Sequence, residues 1–209
     1  MDQLVSARAE PEQALLIDCR SLECRPVPLP EHAAVLIVHS GVERGLVDSA
    51  YNERRRQCEQ AAGHFGVLAL RDAEEAQLAS AEDLDELARM RARHVVTENA
   101  RTLDAAEALA AGNMALLGRL MAESHASMRN DFEITVPAID ELVTILQREI
   151  GTEGGARMTG GGFGGCVIAL LPRDRVSAVV EAVRRDYRPP DGKPVMIHAC
   201  RPAGGAGLL

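Results

Sequence analysis

The fold is decided by a stretch in which five of six consecutive residues are glycine, Met158-Thr159-Gly160-Gly161-Gly162-Phe163-Gly164-Gly165-Cys166. Glycine adopts positive φ angles and lets another backbone approach closely, at a cost in conformational entropy on folding. A flexible linker would be richer in serine, and the apolar run 167–171 follows this stretch directly. The stretch therefore predicts either a loop whose backbone N–H groups form an anion-binding concavity or a tight turn beside another backbone.

Helices and strands alternate on both sides of the glycine-rich stretch. A helix that begins at Pro137 and ends at Gly151 carries one apolar stripe at helical spacing, formed by Val136, Ile139, Leu142, Val143, Leu146 and Ile150. After the stretch, the pattern predicts a buried strand, a helix and a final strand at residues 167–171, 176–187 and 194–200. Residues 203–209 are expected to fray.

The first half of the chain begins with strands and then changes to helical periodicity. Two apolar runs predict strands at 14–19 and 33–40, and the proline-spaced segment 26–30 between them predicts an edge strand or a loop. Asp48 or Ser49 can cap a helix that runs to about His64. A second helical region is expected to begin near Ser80, with Asp83 as in a capping box. It continues after a break to residue 109, and a third helix covers 114–125. Such a mixture of packed helices and strands predicts an α+β fold.

Composition and charge restrict the classes of function. The formal net charge is −8 and the isoelectric point is about 5.3, which argues against a nucleic-acid partner, since such proteins carry a basic stripe. Arg54, Arg55 and Arg56 lie between Glu53 and Glu59 and predict a solvated helix face. Hydrophobic residues make up 46% of the chain and aromatic residues only 2%, so the core is expected to be aliphatic.

The sequence also predicts the compartment. No apolar run approaches the roughly 20 residues of a membrane span, and the N-terminus lacks a signal-peptide pattern. We therefore expect a soluble cytoplasmic protein with no membrane partner. The cysteine count is odd and no CxxC pair occurs, which predicts buried free thiols in a reducing compartment. A zinc site is not expected, because the histidines and cysteines lack ligand spacing.

Several segments carry a resemblance to a known family. The stretch from Met158 to Cys166 resembles the third conserved motif of the GHMP kinases, in its galactokinase form. Residues 17–22, 49–58, 94–99 and 131–137 also resemble galactokinase segments. The resemblance extends through nearly the whole chain and is weakest at the last few residues. It implies a sugar kinase that uses ATP and Mg²⁺ to convert galactose to galactose 1-phosphate.

The resemblance also implies roles for individual residues. Met1-Asp2-Gln3 matches the segment whose aspartate is the catalytic base, so Asp2 is expected to accept the proton of the anomeric hydroxyl of galactose. Tyr51 matches the tyrosine that contacts the sugar. The active-site loop would be formed by Gly160, Gly161, Gly162, Gly164 and Gly165. The resemblance assigns no role to His39, His94, His125, Asp131 and Glu133, which are interpreted as structural or surface residues.

The resemblance predicts two parts and an incomplete site. Residues 1–45 correspond to a remnant of the N-terminal GHMP domain, and 46–209 to the C-terminal domain, with a ferredoxin-like antiparallel sheet packed on helices. The Gly- and Ser-rich loop that cradles the ATP phosphates at a helix N-terminus does not occur in these 209 residues, nor are Mg²⁺ ligands expected within them. We therefore expect a truncated product or a start codon assigned too late, and little activity from this chain alone.

Alternative functions remain open at this stage. An N-acetylgalactosamine kinase is the first alternative, because most residues that choose the sugar are expected to lie outside this chain. A non-catalytic sugar sensor with an altered nucleotide loop is a second alternative, and an inert remnant of a decayed gene is a third. The predicted assembly is a monomer that binds galactose and ATP.

Overall fold

The computed structural model describes residues 1–43, 47–81 and 83–206, with the side chains of 47–49 excluded. The first elements are α1 (Asp2–Arg8), β1 (Gln13–Ile17), β2 (Cys24–Pro28), β3 (Ala33–His39) and α2 (Val47–His64). A short 3-10 turn (Leu70–Asp72) leads to α3 (Glu75–Ser80), α4 (Glu86–Ala110), α5 (Met114–Asn130) and α6 (Pro137–Ile150). The last elements are β4 (Gly155–Met158), β5 (Cys166–Pro172), a second 3-10 turn (Arg173–Arg175), α7 (Val176–Asp186) and β6 (Ile197–Cys200).

Four strands form one antiparallel sheet in the order β4-β5-β3-β6. β3 is a central strand: Val38 pairs with Val167 of β5 on one side and with Ile197 of β6 on the other. β1 and β2 pair separately as a two-stranded antiparallel hairpin, so the proline-spaced segment is an edge strand. This arrangement confirms the predicted α+β fold with an antiparallel sheet packed on helices.

The sheet is covered on both faces by helices. On one face, Leu36, Val38 and Val167 are buried with the apolar stripes of α6 and α7. On the other face, Val35 and Ile168 pack with α5, the end of α4 and the β1–β2 hairpin. A third cluster joins α2 to the start of α4. The cores are aliphatic, as the composition predicts.

The predicted boundary at residue 45 lies among residues 44–46, which are outside the described residues. β3 precedes this boundary but belongs to the same sheet as β4, β5 and β6. The boundary therefore does not separate two sheets, and the division into 1–45 and 46–209 stays a prediction.

Several predicted helix ends were wrong. α4 is continuous, and its cap is Asp85, whose carboxylate accepts a hydrogen bond from the backbone N–H of Ala88. Ser80 instead ends α3, whose capping box is formed by Glu74 and Gln77. α2 begins at Val47, so Asp48 and Ser49 lie inside its first turn. The apolar stripe of α6 and its end at a glycine with φ of 65° are confirmed.

The C-terminal segment is anchored, where fraying was expected. The backbone N–H of Gly205 donates to the carbonyl of Ala9, and that of Ala206 donates to the carbonyl of Ser6. Residues 207–209 of the predicted frayed segment lie outside the described residues. Within the described part of the chain, no helix combines the length and the apolar character needed to cross a membrane.

Candidate active site

The glycine-rich stretch forms the loop between β4 and β5, here called the glycine loop (residues 159–165). The backbone N–H of Thr159 donates to the carbonyl of Cys166 and closes the base of the loop. A Cβ on Gly162 would lie 2.5 Å from the carbonyl oxygen of Ile134, and one on Gly164 would lie 2.7 Å from that of Val42. Both glycines also have positive φ, so these two positions require glycine. Part of the loop is therefore the tight turn beside another backbone.

An open cavity of about 550 Å³ lies beside the glycine loop, within the size range of small-molecule sites. Its lining includes Ile37, His39, Glu43, Thr159, Gly160 and Gly165. A Cβ added at Gly161 would meet no atom within 4 Å, so the tip of the loop is open. The N–H groups of Phe163 and Gly165 donate to the carbonyls of Ile134 and Val42. Exposed N–H groups of glycine-rich loops bind anions in other proteins.

Tyr51 lies on α2 with 57% of its surface exposed. Arg54 follows it on the same helix face, one turn later. The Arg54 side chain donates from Nε to the carbonyl of Phe132 (2.6 Å) and from Nη2 to that of Glu133 (3.2 Å). In the next residue, Ile134, the carbonyl accepts a hydrogen bond of 2.7 Å from the N–H of Phe163 in the glycine loop. Hydrogen bonds thus connect the helix of Tyr51 to the glycine loop.

Asp2 is the first residue of α1, and its side chain is exposed. α1 is held through its last turn by the C-terminal segment at Gly205 and Ala206. Among the described residues, no hydrogen bond or ion pair joins Asp2 to Tyr51 or to the glycine loop. The structure therefore connects the helix of Tyr51 to the glycine loop through Arg54 and residues 132–134. The roles of Asp2, Tyr51 and the loop stay predictions.

Comparison with known proteins assigns a family to this arrangement. Residues 105–189, which include the glycine loop and β5, match the family model described as GHMP kinases C terminal. The chain carries a GHMP kinase C-terminal domain. The predicted resemblance to this family is confirmed.

Solved structures extend the similarity over the rest of the chain. The structure is similar to that of Lactococcus lactis galactokinase complexed with galactose, with 35% sequence identity and a TM-score of 0.88. That match covers 97% of this chain and 54% of the galactokinase. The mevalonate kinase of L. major in complex with R-mevalonate matches at 18% identity over 91% of this chain and 50% of its own, with a TM-score of 0.56.

A third solved structure shares the fold. The homoserine kinase of Cytophaga hutchinsonii matches at 12% identity over 91% of this chain and 49% of its own, with a TM-score of 0.52. At these low identities, the mevalonate and homoserine kinases show only that this chain shares their fold. The chain spans about half the length of each of these relatives.

Sequence reasoning missed the contacts that support the glycine loop in this GHMP kinase domain. Residues 131–134, here called the corner segment, connect α5 to α6 and are held by Arg54 and Arg91. Arg91 is only 1% exposed and forms an ion pair of 2.5 Å with Glu133. The interpretation of Arg54 as part of a solvated face was wrong, whereas Arg55 and Arg56 are exposed. The one available signal was the position of Arg91 at helical spacing with the buried Ala88 and Ala92.

Two histidines lie beneath the glycine loop and the corner segment. His94 stacks on Phe132 with ring centroids 4.4 Å apart, and burial lowers the pKa of His94 to about 4. The Nδ1 atom of His125 accepts from the backbone N–H of Met158, just before the loop, and its Nε2 atom lies 3.1 Å from Oδ1 of Asp140. Burial also lowers the pKa of His125. Both side chains are buried and contact neighbouring parts of the fold.

A metal-binding cluster requires several ligand side chains close together. Among the described residues, no group of three or more His, Cys, Asp or Glu side chains is placed so that it could hold a metal ion. Mg²⁺ in phosphate-transferring enzymes is usually held by one or two carboxylates together with the substrate phosphates, so such a cluster does not define its site.

Proposed function

We propose that this chain is the C-terminal part of a galactokinase, which transfers the γ-phosphate of ATP to the anomeric hydroxyl of D-galactose. The products are galactose 1-phosphate and ADP. The observation that carries the proposal is the similarity to a galactokinase over 97% of this chain at 35% identity. The family assignment alone supports a small-molecule kinase, and this longer similarity favours galactose as the substrate.

In the proposed reaction, the protein mainly positions the reactants. Phosphoryl transfer depends on alignment of the nucleophile and on stabilisation of charge at the phosphate. The Asp2 carboxylate orients the anomeric hydroxyl and accepts its proton as the oxygen attacks. The exposed phenol of Tyr51 contacts the sugar hydroxyls. The glycine loop contributes backbone N–H groups near the transferring phosphate, where they stabilise negative charge.

ATP and Mg²⁺ are the proposed cofactors, and their principal contacts are expected outside these 209 residues. The Gly- and Ser-rich phosphate loop of the family does not occur in the sequence. We propose that the chain expressed alone therefore transfers little or no phosphate, because nucleotide anchoring supplies much of the positioning. We also propose a monomer. A cytoplasmic location is proposed because Cys19, Cys24, Cys58 and Cys200 are free thiols, although Cys19 is exposed and the other three are half-buried, where the sequence predicted buried thiols.

A kinase assay on the gene product at its native length tests the substrate. ADP release is measured with D-galactose, N-acetylgalactosamine, mevalonate and homoserine as acceptors, with the 209-residue chain alone in parallel. We expect release with galactose from a product that includes a phosphate loop and almost none from the 209-residue chain. Phosphorylation of another acceptor in preference to galactose would contradict the assignment. Binding of galactose and ATP without ADP release would indicate a sensor.

The role of Asp2 is tested by Asp2→Asn in the same product. Removal of a general base costs about 10²- to 10⁴-fold in rate, so kcat should fall by that factor while the protein stays folded. Glu10→Gln is the matched control, because Glu10 is an exposed carboxylate just after α1 that accepts a hydrogen bond from Gln13. An unchanged kcat in Asp2→Asn would show that another group accepts the proton.

A further inference from the structure

We propose that Arg54 and Arg91 are positioning residues that fix the corner segment as the support of the glycine loop. Arg54 thereby fixes the position of α2, the helix that carries Tyr51, relative to the glycine loop. The consequence for catalysis rests on the function proposed above, whereas the effect on the loop does not depend on the substrate.

Arg91 holds the corner segment from inside the protein. Its Nη1 atom donates to the carbonyl of Asp131 (2.5 Å), and its Nη2 atom pairs with the carboxylate of Glu133 (2.5 Å). Its Nε atom donates to Oε1 of Gln57 on α2 (2.8 Å), which is also buried. One buried guanidinium thus connects α4, α2 and the corner segment. A charge with so little contact with water needs all of these partners.

Arg54 holds the same segment from the side of α2. Two of its hydrogen bonds end on the carbonyls of Phe132 and Glu133, which are consecutive residues of the corner segment. The planar guanidinium offers its donors in a fixed fork, so two carbonyls held by it keep a defined orientation. Tyr51 lies one helical turn before Arg54. A shift of the corner segment relative to α2 would therefore change its position relative to the Tyr51 phenol.

The corner segment in turn contacts the glycine loop at a strained position. Glu133 has φ of 51° and Phe163 has φ of 59°, and both are non-glycine residues in the left-handed region. Such conformations persist only where the surroundings determine them. The hydrogen bond from Phe163 to Ile134 and the close approach of Gly162 to the Ile134 carbonyl join the two strained segments directly. The arginine contacts therefore reach the loop through the backbone.

The proposal is tested by amide hydrogen exchange on the 209-residue chain. Arg54→Gln removes the guanidinium that donates to the two carbonyls. Glutamine is a good helix former, so α2 should stay intact. The Phe163 amide should exchange about tenfold faster or more, because its acceptor is no longer fixed. Slow amides in the interior of α6 and β5 report global stability and should change less. Arg55→Gln is the matched control, because Arg55 is exposed and pairs with Glu59 on its own helix.

A second pair of variants approaches the same contact from the loop. Gly162→Ala places a Cβ against the Ile134 carbonyl and should separate the loop from the corner segment, whereas Gly161→Ala meets no atom within 4 Å. We expect faster exchange at Phe163 in the first variant and not in the second. If Arg54→Gln does not fold, Arg54→Lys, which keeps the charge but has a single donor nitrogen, replaces it.

A kinetic measurement separates positioning from a merely structural role. In a native-length product that phosphorylates galactose, Arg54→Gln should lower kcat about tenfold and change the KM for galactose less than about twofold. Exchange at Phe163 that stays unchanged in folded Arg54→Gln, or that rises only in step with α6 and β5, would overturn the proposal. Since exchange needs no substrate, a failure of the galactokinase assignment would leave this result intact.

Discussion

Gly118 in α5 provides a sharp test of how closely the helices pack on the sheet. A Cβ built on Gly118 would lie 1.8 Å from the carbonyl oxygen of Gly154 and 2.7 Å from its carbon, just before β4. Both atoms belong to the backbone, so no side-chain rotation can relieve the contact. Gly118→Ala should therefore destabilise the protein, even though alanine favours a helix more than glycine does.

The size of the effect follows from two opposing contributions. An ordinary contact needs at least 3.4 Å, so α5 and the chain before β4 would have to separate by about 1.6 Å. Overpacking of this kind typically costs about 1–3 kcal/mol, and a contact between two backbones belongs at or above the upper end. Alanine returns about 1 kcal/mol through helix propensity. The net loss in the free energy of unfolding is then about 2–3 kcal/mol.

Thermal and urea denaturation, followed by circular dichroism, measure this loss. For a chain of this size the midpoint temperature falls about 2–4 °C per kcal/mol, which gives a decrease of about 4–12 °C. Gly63→Ala is the matched control: Gly63 is exposed in the last turn of α2, and a Cβ there would meet no atom within 4 Å. The same substitution should raise the stability there by about 0.5 kcal/mol.

A Gly118→Ala protein as stable as the wild type would refute this reasoning. It would mean that α5 can move away from β4 at little cost, and that the close contact does not define the position of the strand. A loss of equal size in Gly63→Ala would instead show that glycine matters at both positions through a property other than space.

Two further predictions concern buried polar groups. Tyr187→Phe should lower the free energy of unfolding by about 1–3 kcal/mol in urea denaturation, because the buried phenol donates a hydrogen bond of 2.6 Å to the carbonyl of Ser40; no loss would show that water replaces the phenol. Burial lowers the pKa of His94 to about 4, so the folded protein binds fewer protons than the unfolded chain. Stability should then fall by up to about 3 kcal/mol as the pH decreases from 6.5 to 4, and His94→Gln should flatten that fall; an equal slope in the variant would assign it to other groups.

The sequence was most informative where local pattern and tertiary packing agree. The stripe on α6 predicts a buried face because its apolar side chains repeat at helical spacing, and Ile139, Leu142 and Leu146 are fully buried. The glycine loop was also predictable, since few other structures need so many glycines before a buried strand. In both cases, residues close in the sequence determine the result.

The sequence was least informative where the partner lies far along the chain. Ser80 and Asp85 are both good helix caps, and the choice between them depends on the burial of Ala81 and Leu84 against α2 and α4. Arg91 and Arg54 look like ordinary helix surface residues until the corner segment, some forty to eighty residues later, is packed against them. For Asp2, the structure adds no contact among the described residues that supports the predicted role. Its assignment as the catalytic base depends on the family resemblance.

The central place of β3 in the sheet has a consequence for how the protein is made. β3 leaves the ribosome well before both of its neighbours, β5 and β6, which are synthesised more than a hundred residues later. During that time a highly apolar strand has two open edges, which are sites for association with other chains. Protein yield in cells should therefore depend on chaperones that shield β3 until the later strands arrive.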